Sequence, residues 1–429
     1  MHRKIKILHI ISGLRTGGAE IMLCRTLEQS DPSVFSHRVV SLRGRGALGD
    51  RVERSCDLRA MDFKGPRLPL EFGRLVREIR RFEPDIIQTW LCHGTVFGSA
   101  AASLAGSAKL VWTIHTGMAD ASRVKRSIRF LTRGLAAVSG FVPDQIVACS
   151  KTAAERHSEL GFSTDRMTVI PNGTPVAEFQ GAHREGRALR ISLGIPPHAP
   201  VVGIAGRWTP EKDFPTFFEA ARLVQERLPE TRFLLCGSDL TFENQAANAF
   251  VEQSPLRDRF LLLGLRKDMP AFYSACSLVT LSSRSEAFPL VLGEAMAAGT
   301  PCVTTDVGDA RDIVGDTGVV VPTRNPPALS QAWTDLLTLD PMVREELGQR
   351  AAARIEGEYC LDRCMSAYEE LFRELIPGVP TAPRGPGEEG DAPVSELVPA
   401  LAGARMNHLE EAVPGLAEAV VRDRSAWEP

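Results

Sequence analysis

The sequence of 429 residues contains no Asp-x-Asp pair, no Cys-x-x-Cys pair and no run of about 18 consecutive apolar residues, and each absence removes a class of function. Without paired aspartates, and with histidine and cysteine unclustered at ligand spacings, no bound metal or other cofactor is implied. Nine cysteines are scattered singly, several in apolar runs (Cys149, Cys236, Cys276, Cys302), which fits a reducing compartment. The basic start Met1 to Ile11 resembles a leader only superficially. Lys6 and His9 interrupt its apolar stretch and no small-residue cleavage site follows, so a cytoplasmic protein without a membrane span is expected. A net charge of −3 gives no global field for nucleic acid. The glycine turn after the first apolar run, Ser12 to Glu20, is neither G-x-G-x-x-G nor a G-K-[ST] phosphate loop, which argues against an NAD dehydrogenase.

What is present is rhythm. Short apolar runs alternate with helical patterns: Ile5 to Ile11, Ile86 to Trp90, Leu110 to Ile114, Ile146 to Ser150 and Thr168 to Ile170. A second series follows at Val201 to Ala205, Arg232 to Cys236, Phe260 to Leu263, Leu278 to Leu281, Cys302 to Thr305 and Val319 to Val321. Strands this apolar, separated by helices, fit parallel sheets covered on both faces. The fold class is therefore α/β, doubly wound twice. Ala19, Met22, Leu23 and Leu27 form one helical stripe, and Phe217, Ala220, Ala221, Val224 and Leu228 another. Pro171 to Pro175 and the polar Gln180 to Arg190 are expected to form a hinge, dividing a first domain at 1–178 from a second at 179–358. The Pro-, Gly- and Ala-rich tail 377–429 is expected to be disordered or loosely helical. Cys360 and Cys364 share a helix face and are read as core.

The most informative segment is Ser285 to Pro301. Strand Leu278 to Leu281 feeds a polar bend, and Pro289 is a favoured first residue for the helix that follows. Glu286 then lies just outside the helix and Glu294 about one turn further in. Free backbone N–H groups of Phe288, Leu290 and Val291, around Pro289, point to the same space, where the helix dipole favours a diphosphate. One carboxylate can accept hydrogen bonds from a sugar and the other from a ribose. If both acids lay on one helix they would stand about 12 Å apart, beyond a hydrolytic carboxylate pair. After strand Val201 to Ala205, Arg207 and Lys212 face the exit, where two cations could neutralise a departing diphosphate; the alternative is a solvated loop pair with Glu211 and Asp213. Gly13, Gly17 and Gly18 follow the first strand and permit close backbone approach. His115 ends strand Leu110 to Ile114, positioned either to meet a sugar hydroxyl or to serve a structural role; His93 is a weaker candidate on the acceptor side. The segment Ser122 to Arg133 carries five basic residues among apolar ones, and reads either as an interfacial helix touching anionic lipid or as a solvated helix packed by its apolar face.

Taken together, Glu286 to Glu294 and Gly206-Arg207 to Lys212 resemble the retaining glycosyltransferases of family 4, a likeness that covers roughly Ile5 to Leu375. It implies the GT-B fold, two facing Rossmann-like domains with a cleft between them, and a final helix at about 359–376 that crosses back onto the first. By the same likeness Arg207 and Lys212 bind the donor diphosphate, Glu286 the transferred sugar and Glu294 the nucleotide ribose. Phe288 to Val291 supply amides, Gly17 and Gly18 approach the donor, and His115 contacts the sugar near the reacting carbon. The activity implied is transfer of a hexose-type sugar from a nucleoside-diphosphate sugar to an acceptor hydroxyl, with retention and without metal, in surface polysaccharide or lipid-linked glycan synthesis. A nucleotide-sugar epimerase and a non-catalytic binding subunit are the rival readings. The sequence departs from the family at Pro175, where Asp is common, and at Cys236-Gly-Ser-Asp239, which replaces a Gly-x-Gly.

Overall fold

A computed structural model of the chain describes residues 3–106, 108–117 and 126–377. The first sheet comprises β1 (Ile5–Ile11), β2 (Phe35–Ser41), β3 (Asp57–Ala60), β4 (Ile86–Trp90), β5 (Lys109–Ile114), β6 (Gln145–Ala148) and β7 (Met167–Val169), in the order β3-β2-β1-β4-β5-β6-β7. The second comprises β8 (Val201–Ala205), β9 (Arg232–Cys236), β10 (Phe260–Leu262), β11 (Leu278–Leu281), β12 (Cys302–Thr305) and β13 (Gly318–Val321), in the order β10-β9-β8-β11-β12-β13. All neighbouring strands pair in parallel. This is the GT-B α/β architecture. In each sheet the winding reverses beside the first strand, at β1/β4 and at β8/β11, and these switch points open crevices outside the carboxyl ends of the strands.

The core follows from burial on both faces. β4, β8 and β11 are buried at every position. Helix Phe214–Gln225 lays Phe217, Ala220, Ala221 and Val224 on the second sheet, where the Phe217 ring meets fully buried Trp333 edge to face at 5.3 Å. Truncating a ring like that costs about 3–5 kcal/mol, a large share of a domain's stability. On one face of the first sheet, helix Leu361–Leu375 buries Leu361, Cys364, Met365, Tyr368, Leu371 and Phe372. The chain thus crosses between lobes twice, and the crossings pair with each other. Thr174 N–H donates to Tyr359 O at 2.9 Å, and Leu361 N–H donates to Thr174 O at 2.8 Å. Cys360 caps this helix half-buried, while Cys364 sits in the core.

Three sequence expectations need correction. β2 and β3 were not anticipated: Ser36, His37 and Arg38 interrupt the apolar pattern of β2, and β3 is an edge strand whose exposed Asp57 pairs with Arg38 and Arg59. Charge on an edge guards against strand addition and hides the strand from a hydrophobicity reading. Most of the expected hinge Gln180 to Arg190 is helix His183–Ser192, which packs against helix Met269–Ala275 of the second lobe. Pro289 caps rather than begins its helix, as described below. The tail beyond Pro377 and residues 122–125 of the basic segment lie outside the described residues.

Candidate active site between the two sheets

The exits of β8 and β11 are laced together. Ser282 donates its hydroxyl to Lys212 O at 2.8 Å, and Arg284 N–H donates to Glu211 O at 2.7 Å. Fully buried Asp213 accepts from the Thr216 hydroxyl at 2.8 Å and pairs with the Arg284 guanidinium. Asp213 is thereby turned away from Lys212, and the solvated-loop alternative for that lysine fails. Lys212 Nζ instead meets Glu286 Oε1 at 2.6 Å, and the same oxygen accepts from Ser283 Oγ at 2.7 Å. These two side chains are 20% and 15% exposed, so the pair borders solvent without being dissolved in it.

Arg207 stands at the same exit, exposed. Its field reaches Glu20 on the first lobe: burial raises the Glu20 carboxyl above its ordinary range, while its own backbone N–H and the charges of Arg207 and Arg15 lower it. At the exit of β9, beside that of β8, Gly237 has φ +146, and a β-carbon there would lie 1.9 Å from Gly206 O, so only glycine fits. Asp239 takes the place of the second glycine of the usual Gly-x-Gly at φ +65, a left-handed conformation that aspartate tolerates.

Helix Leu290–Ala297 begins one residue later than the sequence suggested. Pro289 is its N-cap, at φ −75 and ψ 98, because an extended ψ excludes it from the first turn. Phe288 is buried with its ring 5.7 Å from that of Tyr359, and Leu290 and Val291 are half-buried. Leu292 N–H turns back to Pro289 O at 3.1 Å, while the N–H groups before it have no intrahelical acceptors and carry the positive end of the dipole. Glu294 lies on the same face as Leu290. Its Oε1 accepts from Arg25 at 2.6 Å and its Oε2 from the Tyr273 hydroxyl at 2.7 Å.

The first lobe closes on this surface. Gly17 caps helix Gly18–Gln29, and a β-carbon at Gly18 would lie 3.8 Å from Leu290 Cδ1. After β5, the His115 ring stacks on Trp90 at 5.1 Å and 17°, and both of its buried ring nitrogens lack a protein hydrogen-bond partner. Burial pushes its pKa down to about 4, so the imidazole is neutral at pH 7. Two residues on, a β-carbon at Gly117 would lie 2.1 Å from Glu286 O. The backbone of the first lobe therefore touches the residue that carries the key carboxylate, a contact only glycine permits. Further out, the N–H groups of Lys151 and Thr152 donate to Asp309 of the second lobe at 2.8 and 2.9 Å.

The structure thus gathers Gly17, Gly18, His115, Arg207, Lys212, Glu286, Phe288, Pro289, Leu290, Val291 and Glu294 around one cleft. His93 follows β4 in helix Leu91–Ala105, its pKa pushed down to about 4 by burial and then by Arg43. Sequence reasoning missed Arg25, Tyr273, Ser283 and Asp309. Arg25 had a legible signal, since it falls among Met22, Leu23, Thr26 and Leu27 on the buried side of its helix. Among the described residues no three of His, Cys, Asp and Glu stand close enough to hold a metal ion.

Comparison with known proteins agrees with this geometry. Residues 16–178 match the family described as Glycosyltransferase Family 4, and residues 199–339 match Glycosyl transferases group 1. A D-inositol 3-phosphate glycosyltransferase of Corynebacterium urealyticum is 30% identical over 417 residues, 88% of this chain and 94% of that protein. The chain belongs to the group 1, family 4 glycosyltransferases. This glycosyltransferase is also 28% identical, over 73% of its length and 82% of the relative's, to the Escherichia coli UDP-Gal:alpha-D-GlcNAc-diphosphoundecaprenol alpha-1,3-galactosyltransferase. Among solved structures, Anabaena HepE in complex with UDP-glucose superposes with a TM-score of 0.76 at 20% identity, covering 86% of this glycosyltransferase and all of HepE. That likeness shows the shared fold.

Proposed function

We propose that this glycosyltransferase moves a hexose-type sugar from a nucleoside-diphosphate sugar to an acceptor hydroxyl, with retention of anomeric configuration. The observation that carries the reading is the Lys212–Glu286 pair at the second switch point, pressed by Gly117 of the facing lobe. A donor entering the crevice would bring its diphosphate to Arg207, Lys212 and the N–H groups of Phe288, Leu290 and Val291. Each charge-assisted contact of that kind is worth about 1.5–3 kcal/mol. These groups supply the charge compensation for which other transferases use a metal. Glu286 would accept hydrogen bonds from hydroxyls of the sugar, and Glu294 from the ribose. A neutral His115 is suited to exchanging hydrogen bonds with a sugar hydroxyl, not to pairing with phosphate.

In the transfer, the acceptor oxygen bonds to the anomeric carbon as the bond from that carbon to the β-phosphate oxygen breaks. The acceptor proton passes to the departing phosphate oxygen on the same face of the sugar. Arg207 and Lys212 stabilise charge growing on the leaving group, which is where preorganised electrostatics contribute most.

The acceptor we propose is a lipid-linked or surface glycan, met by a protein that works in the cytoplasm at the inner face of the membrane. Support comes from the diphosphoundecaprenol acceptor named for the Escherichia coli relative. Helix Arg126–Val138 adds exposed Arg126, Arg133 and Phe130 beside its packed face of Leu131, Ala136 and Val138. The contact we propose is peripheral, through this helix; no helix among the described residues is long and apolar enough to cross a membrane. The test is product analysis with UDP, GDP and ADP sugars. Free nucleoside diphosphate released only when acceptor is present supports transfer. An isomerised nucleotide sugar would show an epimerase, and binding without turnover a non-catalytic subunit.

A further inference from the structure

Arg25 is a cation almost withdrawn from solvent, 4% exposed, and it belongs to neither switch point. It projects from helix Gly18–Gln29 of the first lobe. Its Nη1 donates to Gly173 O, in the first interlobe crossing, at 3.2 Å, and its Nη2 donates to Glu294 Oε1, in the second lobe, at 2.6 Å. Tyr273 occupies the other oxygen of Glu294. Burial, and then the charge of Glu294 itself, holds the Tyr273 phenol well above its ordinary pKa, so it remains a donor. Two donors on two different oxygens fix both the plane and the direction of the carboxylate. Each oxygen keeps a further lone pair, and 13% of the Glu294 side chain remains accessible.

We infer that Arg25 is a positioning residue of the donor site: its forked guanidinium aims Glu294 at the ribose and ties that aim to the seating of the first lobe on the interlobe crossing. The inference rests on the proposed reading of Glu294 as the ribose acid. The planar fork matters because one group must serve a backbone carbonyl and a carboxylate in fixed directions, which the point charge of a lysine ammonium cannot reproduce. The crossing that Arg25 grips is the one paired to Tyr359 and Leu361. A change in how the lobes sit therefore reaches Glu294 through one side chain. Arg25 touches no reacting atom, so its removal should alter recognition of the ribose more than turnover.

The test compares whichever of UDP, GDP and ADP binds the wild type most tightly with its 2′,3′-dideoxy analogue, by titration calorimetry. The wild type should prefer the ribonucleotide by about 10- to 100-fold, the worth of hydrogen bonds to a charged acceptor. Glu294→Gln serves as the reference for a lost ribose acid. Arg25→Met and Arg25→Lys should reduce the preference to within about threefold while changing dideoxynucleotide binding by less than about threefold, because only the hydroxyl contacts are lost. Arg25→Lys keeps the buried charge and gives a folded variant should Arg25→Met unfold. The inference is overturned if both folded variants, or Arg25→Lys alone, keep the wild-type preference. It is equally overturned if they weaken the two nucleotides alike, as a purely structural residue would, or if they tighten ribonucleotide binding. A wild type that binds none of the three diphosphates, or a Glu294→Gln variant with full preference, removes the ribose assignment itself, and the role of Arg25 falls with it.

Discussion

Both sheets reverse their winding beside their first strand, but the side chains they bring to the shared cleft differ in kind. The second lobe contributes ion pairs, Lys212 with Glu286 and Arg284 with Asp213, locked to each other through Ser282 and Ser283. Facing the Lys212–Glu286 pair, the first contributes closely approaching backbone and neutral imidazole, while its Arg25 is paired with Glu294. His9, His37, His93, His115 and His157 all lie in the first lobe with pKa values lowered by burial, whereas His183 and His198 in the second are exposed. An ion pair can exchange its partner for an incoming anion at little cost in desolvation. A buried neutral ring cannot bind an anion but can trade hydrogen bonds with a hydroxyl. On the proposed function, the charged half of a donor would lie on the second lobe, with its sugar between Glu286 and the neutral imidazole of the first.

The sharpest way to break this comparison is to remove the charged pair. Lys212→Ala and Glu286→Ala should each lower kcat by about 10²- to 10³-fold, with circular dichroism and Tm showing an intact fold. Because the two side chains act on each other, the double variant should fall well short of the product of the single losses. Wild-type rates in either single variant would dissolve the distinction between the lobes. Next, Gly117→Ala drives a β-carbon against the Glu286 carbonyl, and the lobes must separate to admit it. A displacement of that kind should cost up to about 10²-fold in kcat/KM while leaving each lobe folded. An unchanged rate would show that the facing lobe need not touch the acid.

A smaller effect distinguishes the lobes by acid. Folded imidazoles at about pKa 4, for His37, His93 and His115, stand below their unfolded value near 6.5, so the unfolded chain binds more protons between those limits. Their contribution to stability is complete above about pH 6.5 and drains away as pH falls towards 4. Hydrogen exchange read by mass spectrometry should show the first lobe loosening between pH 7 and pH 5 before the second. Simultaneous loosening would contradict the asymmetry. The smallest expected effect is that of chelation: EDTA should leave turnover within about twofold, since no step is assigned to a metal-bound oxygen.

The strands of the second sheet could be read from their apolar runs because burial on both faces leaves no alternation to decode. β2 and β3 could not, because an edge carries its charges where a hydrophobicity pattern looks for valine. The cleft acids and cations were legible because spacing, strand exits and a proline at the mouth of a helix pointed to one place. Their partners were not. Lys212 choosing Glu286 over Asp213 depends on Arg284 reaching back to claim Asp213, a contact across 71 positions. Arg25 and Tyr273 are likewise invisible as a pair until the fold brings the first helix, the crossing and Glu294 together.

The central claim is that the second lobe meets the donor diphosphate with Arg207, Lys212 and the first amides of helix Leu290–Ala297 while the first lobe faces the sugar. A crystal structure with an intact nucleotide sugar tests it most directly. The account predicts diphosphate oxygens within about 3.2 Å of both cations, with the sugar lying between Glu286 and His115. A diphosphate held on the first lobe, with Lys212 still paired to Glu286, would contradict it.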